Sequence, residues 1–152
     1  MAGNLKQRLI KAGRDFNYAE GVKVINGSGA EIAANKIVCV TGHEGIFLKV
    51  GLADQGAAAT RTGRLHMTKH AIPAGGYGVV LPWKLVTGLS NAAGGGAPTG
   101  AGTVLYLGAA GAWTTTAGNK RVIGTVATAG TGAATTDGAI LFSGEGAFNT
   151  AP

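Results

Sequence analysis

Charged side chains are scarce in this chain, making up 13% of its 152 residues, about half the usual share. Aromatic side chains number nine, and alanine supplies much of the 45% hydrophobic content. Low charge excludes the class of disordered chains that combine high net charge with low hydrophobicity. Because alanine buries little area, and burial stabilises by about 25 cal/mol per Å², we expect a thin core and modest stability for the isolated chain.

Cysteine and long apolar runs are also lacking. Cys39 is the single cysteine, which excludes an intrachain disulfide framework and fits assembly in a reducing cytoplasm. Its neighbours Ile37, Val38 and Val40 indicate a buried, inert thiol. The apolar pair Leu9-Ile10 is too short for the core of a signal peptide, and no stretch approaches the roughly 20 apolar residues of a membrane helix. We therefore expect no membrane partner.

Motifs that carry catalytic chemistry are missing as well. The chain has no P-loop, GxGxxG, HExxH, CxxC or GxSxG sequence, and its seven acids are scattered. His66 and His70 lie four residues apart without a third ligand at a readable spacing, so we interpret them as solvent-facing strand histidines rather than a zinc site. His43-Glu44 is interpreted as a polar turn. We expect a protein that is not an enzyme and has no cofactor, metal site or catalytic residue.

Positive charge is concentrated at the N-terminus, although the net charge of the whole chain is +6. Residues 1–18 form a predicted basic arm, with a short helix from Asn4 to Lys11 that is marginal alone. The residues expected to bind a partner through this arm are Lys6, Arg8, Leu9, Lys11, Arg14, Phe16 and Tyr18. Basic and aromatic side chains together also suit nucleic acid, but four phosphate contacts bind weakly and the rest of the chain has no basic stripe.

Short β-branched runs separated by glycine dominate residues 19–148, which we interpret as the β domain. The predicted strands are Val22 to Ile25, Lys36 to Thr41, Ile46 to Val50, Leu65 to Lys69, Gly78 to Leu81, Val104 to Leu107, Trp113 to Thr116, Val122 to Val126 and Ala139 to Phe142. Asn26-Gly27 predicts a tight hairpin, and Gly56 to Thr60 a loop. A Gly/Ala-rich loop at 91–102 could divide the domain into units 19–90 and 103–148. The pattern predicts an all-β fold, a small barrel or sandwich with an extended N-terminal arm.

The order of these segments resembles the capsid cement (decoration) proteins of tailed bacteriophages. The segments that carry the resemblance are Tyr18 to Ile25, Ala33 to Val40, Gly45 to Asp54, Lys69 to Lys84, Val104 to Leu107, Trp113 to Ala117, Asn119 to Val126 and Asp137 to Phe142. The resemblance implies a small β-barrel or β-tulip domain that sits on the outer capsid surface as an oligomer. The long basic arm and the 91–102 loop depart from the family pattern.

From this resemblance we expect a structural virion protein, made in the host cytoplasm, that binds the major capsid protein and stabilises the shell. It also implies self-association, as a trimer or alternatively a dimer. Two other functions stay open: a glycan- or host-binding module that uses exposed Tyr77 and Trp83, and a nucleic-acid-binding protein that acts through the basic arm.

Overall fold

The computed structural model describes residues 21–92 and 96–145, and these residues form two β-sheets. The strands are β1 (Val22–Asn26), β2 (Ile37–Glu44), β3 (Phe47–Leu52), β4 (Leu65–Thr68), β5 (Tyr77–Leu81), β6 (Trp83–Leu89), β7 (Val104–Leu107), β8 (Trp113–Thr114), β9 (Val122–Thr128) and β10 (Gly138–Ser143). A single helical turn in this part of the chain, α1 (Ala58–Arg61), lies between β3 and β4. The all-β prediction is confirmed.

The first sheet is a closed barrel with the strand order β1-β3-β2-β4-β5. β1 closes it by pairing in parallel with β3 and antiparallel with β5. Side chains alternate between the two sides of each strand, so one set fills the barrel. That interior cluster consists of Val24, Ile32, Val38, Val50, Ile72 and Val80.

The second sheet curls over the barrel, with the strand order β6-β10-β9-β7-β8. Its inner side packs on the outside of barrel strands β2 and β4, so one core lies between the two sheets. The barrel supplies Ile37, Cys39, Leu65 and Met67 to that core, and the second sheet supplies Val86, Leu105, Leu107, Ile123, Val126, Ile140 and Phe142. A strand that is buried on both sides reads as a continuous apolar run, which explains the sequence Ile37 to Cys39 at the start of β2.

Gly111 joins the two sheets at a second place, where the turn between β7 and β8 meets the barrel. Its N–H donates to the Ala53 carbonyl at 2.6 Å, and its carbonyl accepts from the Ile37 N–H at 2.9 Å. Its φ is +72°, and a Cβ there would lie 2.8 Å from the Ile37 carbonyl oxygen. Only glycine tolerates that backbone conformation and that close approach.

Four local predictions are wrong. His43-Glu44 is not a turn, because both residues lie in β2, opposite Leu48 and Phe47. Asn26-Gly27 does not turn a hairpin, because Asn26 ends β1 and its buried amide donates to the carbonyls of Ala30 (2.8 Å) and Ile72 (2.9 Å). The small residues at 56–60 predict a loop, whereas α1 begins at Ala58. Strand β6 was not predicted, since Lys84, Thr87 and Gly88 obscure its alternation.

Candidate interaction surfaces

An exposed aromatic cluster lies on the outside of the barrel, built from β1, β3 and β5. The rings of Phe47 and Tyr77 meet edge to face, with centroids 5.2 Å apart and an interplanar angle of 76°. The Lys23 ammonium lies 5.4 Å from the Phe47 centroid and 5.0 Å from that of Tyr77. Both distances are within the range of a cation–π interaction, so Lys23 holds a positive charge against the two rings.

Ile46 precedes Phe47 in the chain, at the tip of the β2–β3 hairpin, and is 92% exposed. Beside it, Glu44 and Lys49 form an ion pair at 2.7 Å. The hydrogen bond from Lys49, then its charge, lowers the pKa of the Glu44 carboxyl. We call Lys23, Ile46, Phe47 and Tyr77 the aromatic surface. An apolar tip with a charged rim is typical of a protein contact.

A second exposed apolar area lies on the outer side of the curled sheet. Its large side chains are Trp83 (44% exposed), Leu85 (51%), Leu141 (39%) and Val104 (36%). They come from strands β6, β10 and β7, and their inner neighbours Val86, Ile140, Phe142 and Leu105 fill the core. We call Trp83, Leu85, Val104, Thr125 and Leu141 the convex face.

The two surfaces lie on opposite sides of the molecule. In the circular order of the barrel, β1 lies across from the β2–β4 side that packs against the second sheet. The aromatic surface is centred on β1, with Lys23 between Phe47 and Tyr77. The convex face is on the side of the second sheet that faces away from the barrel. One molecule can therefore contact two partners at once.

The residues predicted from the sequence divide into two groups. The arm residues Lys6, Arg8, Leu9, Lys11, Arg14, Phe16 and Tyr18 lie outside the described residues. Tyr77 and Trp83 are both exposed, but Tyr77 belongs to the aromatic surface and Trp83 to the convex face. The structure does not bring these two rings together.

The histidine interpretation requires a correction. His70 is exposed, but His66 is only 8% exposed, because it faces the barrel interior opposite Val38. Its Nδ1 is buried without a hydrogen-bond partner. Burial, then the charge of Arg64, lowers the pKa of the imidazole. Across residues 21–92 and 96–145, no three His, Cys, Asp or Glu side chains come together as metal ligands.

A cavity of about 330 Å³ lies at the end of the second sheet, lined by Lys36, Leu89, Ser90, Ala92, Gly96, Ala97, Pro98, Ala112 and Trp113. The Trp113 indole N–H donates to the Gly96 carbonyl at 3.0 Å, which fixes one wall. The lining offers one cation, Lys36, and no acid. None of these lining residues belongs to the aromatic surface or to the convex face.

Sequence reasoning missed most residues of the two surfaces. The predicted strand Ala139 to Phe142 is apolar throughout, but side chains alternate along a strand, so Leu141 must point to the opposite side from Ile140 and Phe142. Ile46 and Phe47 follow Gly45 at a hairpin tip, where polar residues are usual. The alternation at residues 140–142 and the apolar pair after Gly45 are both visible in the sequence. The approach of Lys23 to the rings depends on β1 pairing with β3 and β5, which no local pattern indicates.

Within the described part of the chain, none of the helices has the length and apolar character required to cross a membrane. Comparison with protein-family models, with curated proteins and with solved structures finds no match for this chain.

Proposed function

We propose that this chain is a structural virion protein that binds the outer surface of a phage capsid as an oligomer and stabilises the shell. The proposal rests on the order of sequence segments that resembles capsid cement proteins, and on the two exposed apolar surfaces. No chemical step is part of it.

The observation that carries the proposal is that the aromatic surface and the convex face lie on opposite sides of one small body. A protein that reinforces a shell must contact the shell and a second molecule at the same time. Four of the exposed large hydrophobic side chains lie on the convex face, and Ile46 and Tyr77 lie on the aromatic surface. Contiguous exposed apolar areas of this kind mark protein interaction sites.

The aromatic surface suits contact with the shell. Ile46 and Tyr77 supply apolar area for a pocket on the partner, and aromatic anchors dominate many interfaces. Lys23 supplies positive charge next to them, as do the predicted arm residues Lys6, Arg8, Lys11 and Arg14. A complementary shell surface is apolar at its centre and acidic at its rim.

Stabilisation of the shell follows from mass action. A ligand that binds the assembled shell, but not the free subunits, shifts the equilibrium towards assembly. Joining several weak contacts in one oligomer raises the overall affinity by about 10²–10⁴ over one contact. Modest individual contacts therefore suffice.

The test is binding to phage heads that lack this protein. Purified full-length chain is added to DNA-filled heads, and bound copies are counted by co-sedimentation, while heat-induced DNA release reports shell strength. We expect saturable binding and release at a higher temperature. The double variant Ile46→Ser/Tyr77→Ala should lower the affinity at least tenfold, because it removes the apolar centre of the contact.

Thr136→Ala is the matched control, because Thr136 is exposed in the loop between β9 and β10. It should bind like the unaltered chain. Absence of binding to any shell by the unaltered, folded chain would refute the proposed function. Equal affinity for the double variant and the control would remove the aromatic surface from it.

A further inference from the structure

A row of side chains crosses four strands of the convex face. Leu85 lies opposite Leu141 in the β6–β10 pairing, Leu141 lies opposite Thr125 in the β10–β9 pairing, and Thr125 lies opposite Val104 in the β9–β7 pairing. All four are exposed. With about 4.8 Å between neighbouring strands, the row is roughly 14 Å long. Trp83 lies next to it on β6, opposite Ser143.

The convex face carries no charge. The exposed residues of these four strands are Trp83, Leu85, Thr87, Gly88, Val104, Thr125, Ala127, Thr128, Leu141 and Ser143. The one charged residue in the strands, Lys84, turns to the other side, where its Nζ donates to the Thr68 carbonyl at 3.1 Å. An uncharged patch spanning four strands contrasts with a chain of net charge +6.

We propose that the convex face binds the convex face of a second copy of this chain. A partner that buried a charged side chain against this surface would lose the hydration of that charge without a counterion. The matching partner is therefore uncharged over the same area, and a second copy supplies such a surface. Two identical faces related by a two-fold axis form a closed, isologous contact, and interfaces of this kind are more apolar than transient ones.

The two-fold arrangement also matches large side chains with small ones. An axis parallel to the strands and through the middle of the row places β6 of one copy over β7 of the other. Leu85 then lies over Val104 and Leu141 over Thr125, so bulky side chains meet smaller ones. Leu141, near the centre of the row, lies close to the centre of the interface.

This pairing deepens the proposed function, on which its biological meaning rests. Because the aromatic surface lies opposite the convex face, a pair joined by its convex faces presents one aromatic surface at each end. Such a pair connects two points on a shell. The self-association itself requires no capsid and can be tested without one.

The test uses opposite charges at one position on the full chain. We expect the unaltered chain to show twice its 15.0 kDa mass in sedimentation equilibrium at micromolar concentration. Leu141→Asp and Leu141→Lys should each weaken self-association at least tenfold, because like charges meet across the two-fold axis. An equimolar mixture of the two variants should restore the paired mass.

Ile46→Asp is the control, because it places the same charge on an exposed apolar side chain of the opposite surface and should leave the mass unchanged. Leu85→Asp repeats the test if a Leu141 variant fails to fold, as judged by circular dichroism. A single-chain mass for the unaltered protein at 100 times the concentration would overturn the inference, as would failure of the mixture to pair. Pairing without shell binding would refute the proposed function alone, and shell binding by an oligomer that both Leu141 variants leave intact would refute this inference alone.

Discussion

Lys84 and Asn35 connect the two sheets: the Lys84 ammonium on β6 donates to the Asn35 side-chain oxygen, beside the barrel, at 2.6 Å. The same ammonium donates to the carbonyls of Thr68 at 3.1 Å and Lys69 at 3.2 Å. Burial, then the charge of Lys69, lowers the pKa of Lys84. The amine therefore satisfies three acceptors at the seam, while its burial carries a desolvation cost.

Replacing Lys84 with methionine should destabilise the fold modestly. The substitution keeps the length of the stem and removes the donor of three hydrogen bonds, which are worth about 1.5–3 kcal/mol when the donor is charged. It also removes the cost of burying the ammonium, so we expect a loss of about 1–2 kcal/mol in the free energy of unfolding. Urea denaturation measures this loss in the free energy of unfolding. Lys120→Met is the control, because the Lys120 ammonium makes an exposed hydrogen bond to the Thr116 carbonyl at 3.1 Å. An equal loss in both variants would contradict the role of Lys84.

Replacing Arg121 should lower the free energy of unfolding more than replacing Lys84 does, because Arg121 is only 7% exposed. Its guanidinium donates to the carbonyls of Gly63, Arg61 (3.1 Å) and Gly144 (2.8 Å). An unsatisfied buried acceptor costs about 1–3 kcal/mol, so Arg121→Met should lower the free energy of unfolding by about 3 kcal/mol. Urea denaturation of Arg121→Met and Lys84→Met provides the comparison.

Arg64→Met is the matched control for Arg121. Arg64 pairs with Glu145 on the surface, with side-chain exposures of 60% and 66%, and exposed ion pairs contribute about 0–1 kcal/mol. A loss from Arg64→Met as large as that from Arg121→Met would show that the buried hydrogen bonds do not decide stability at this site.

His66 should make the fold acid-sensitive near neutral pH. Burial, then Arg64, lowers the pKa of His66 in the folded state, so the unfolded chain binds the proton more readily. The stability from neutral His66 is fully present above its ordinary pKa near 6.5 and is lost as the pH falls through its lowered folded pKa. Unfolding free energies measured between pH 5 and 8 should decrease towards acid.

His66→Gln should flatten that pH dependence, whereas His70→Gln should preserve it, since His70 is exposed. Both substitutions remove one imidazole, so they differ in burial rather than in chemistry. The same slope in both variants would assign the effect to another group.

Cys39 should be unreactive in the folded protein. Its thiol is 2% exposed between the two sheets, and burial raises its pKa, while the thiolate is the reactive form. A chromogenic disulfide reagent at pH 8 should label none of the native protein within an hour and one thiol per chain in denaturant. Rapid labelling of the native state would show that the two sheets separate readily.

The sequence predicts the fold class because glycine turns and β-branched runs are local signals. Most strands, such as β7 at Val104–Leu107, follow from composition and spacing alone. The parallel pairing of β1 with β3 does not, because it joins segments that are distant along the chain. The inward position of His66 depends on the same barrel closure, so its polar side chain misleadingly indicated a solvent-facing site.

The surfaces were predictable only in part. Tyr77 and Trp83 are exposed aromatics near glycine and proline, and both lie on candidate surfaces. Leu141 cannot be distinguished from its neighbours in the sequence, because all three residues of Ile140-Leu141-Phe142 are apolar and a sequence does not say which side of a strand has a covering layer. The packing of the second sheet on the barrel decides that, since it buries Ile140 and Phe142 in the shared core and leaves Leu141 39% exposed on the other side.

The core shared by the two sheets sets an order of events during synthesis. The barrel strands end at Leu81, so they leave the ribosome while Ile37, Cys39 and Met67 still lack the cover that Ile140 and Phe142 provide. At a synthesis rate of about 5–20 residues per second, the outer side of β2 and β4 stays uncovered for seconds while the second sheet is translated. During that interval the nascent chain is most prone to aggregation. Its apolar side is protected only once residue 142 has been translated and β10 has docked.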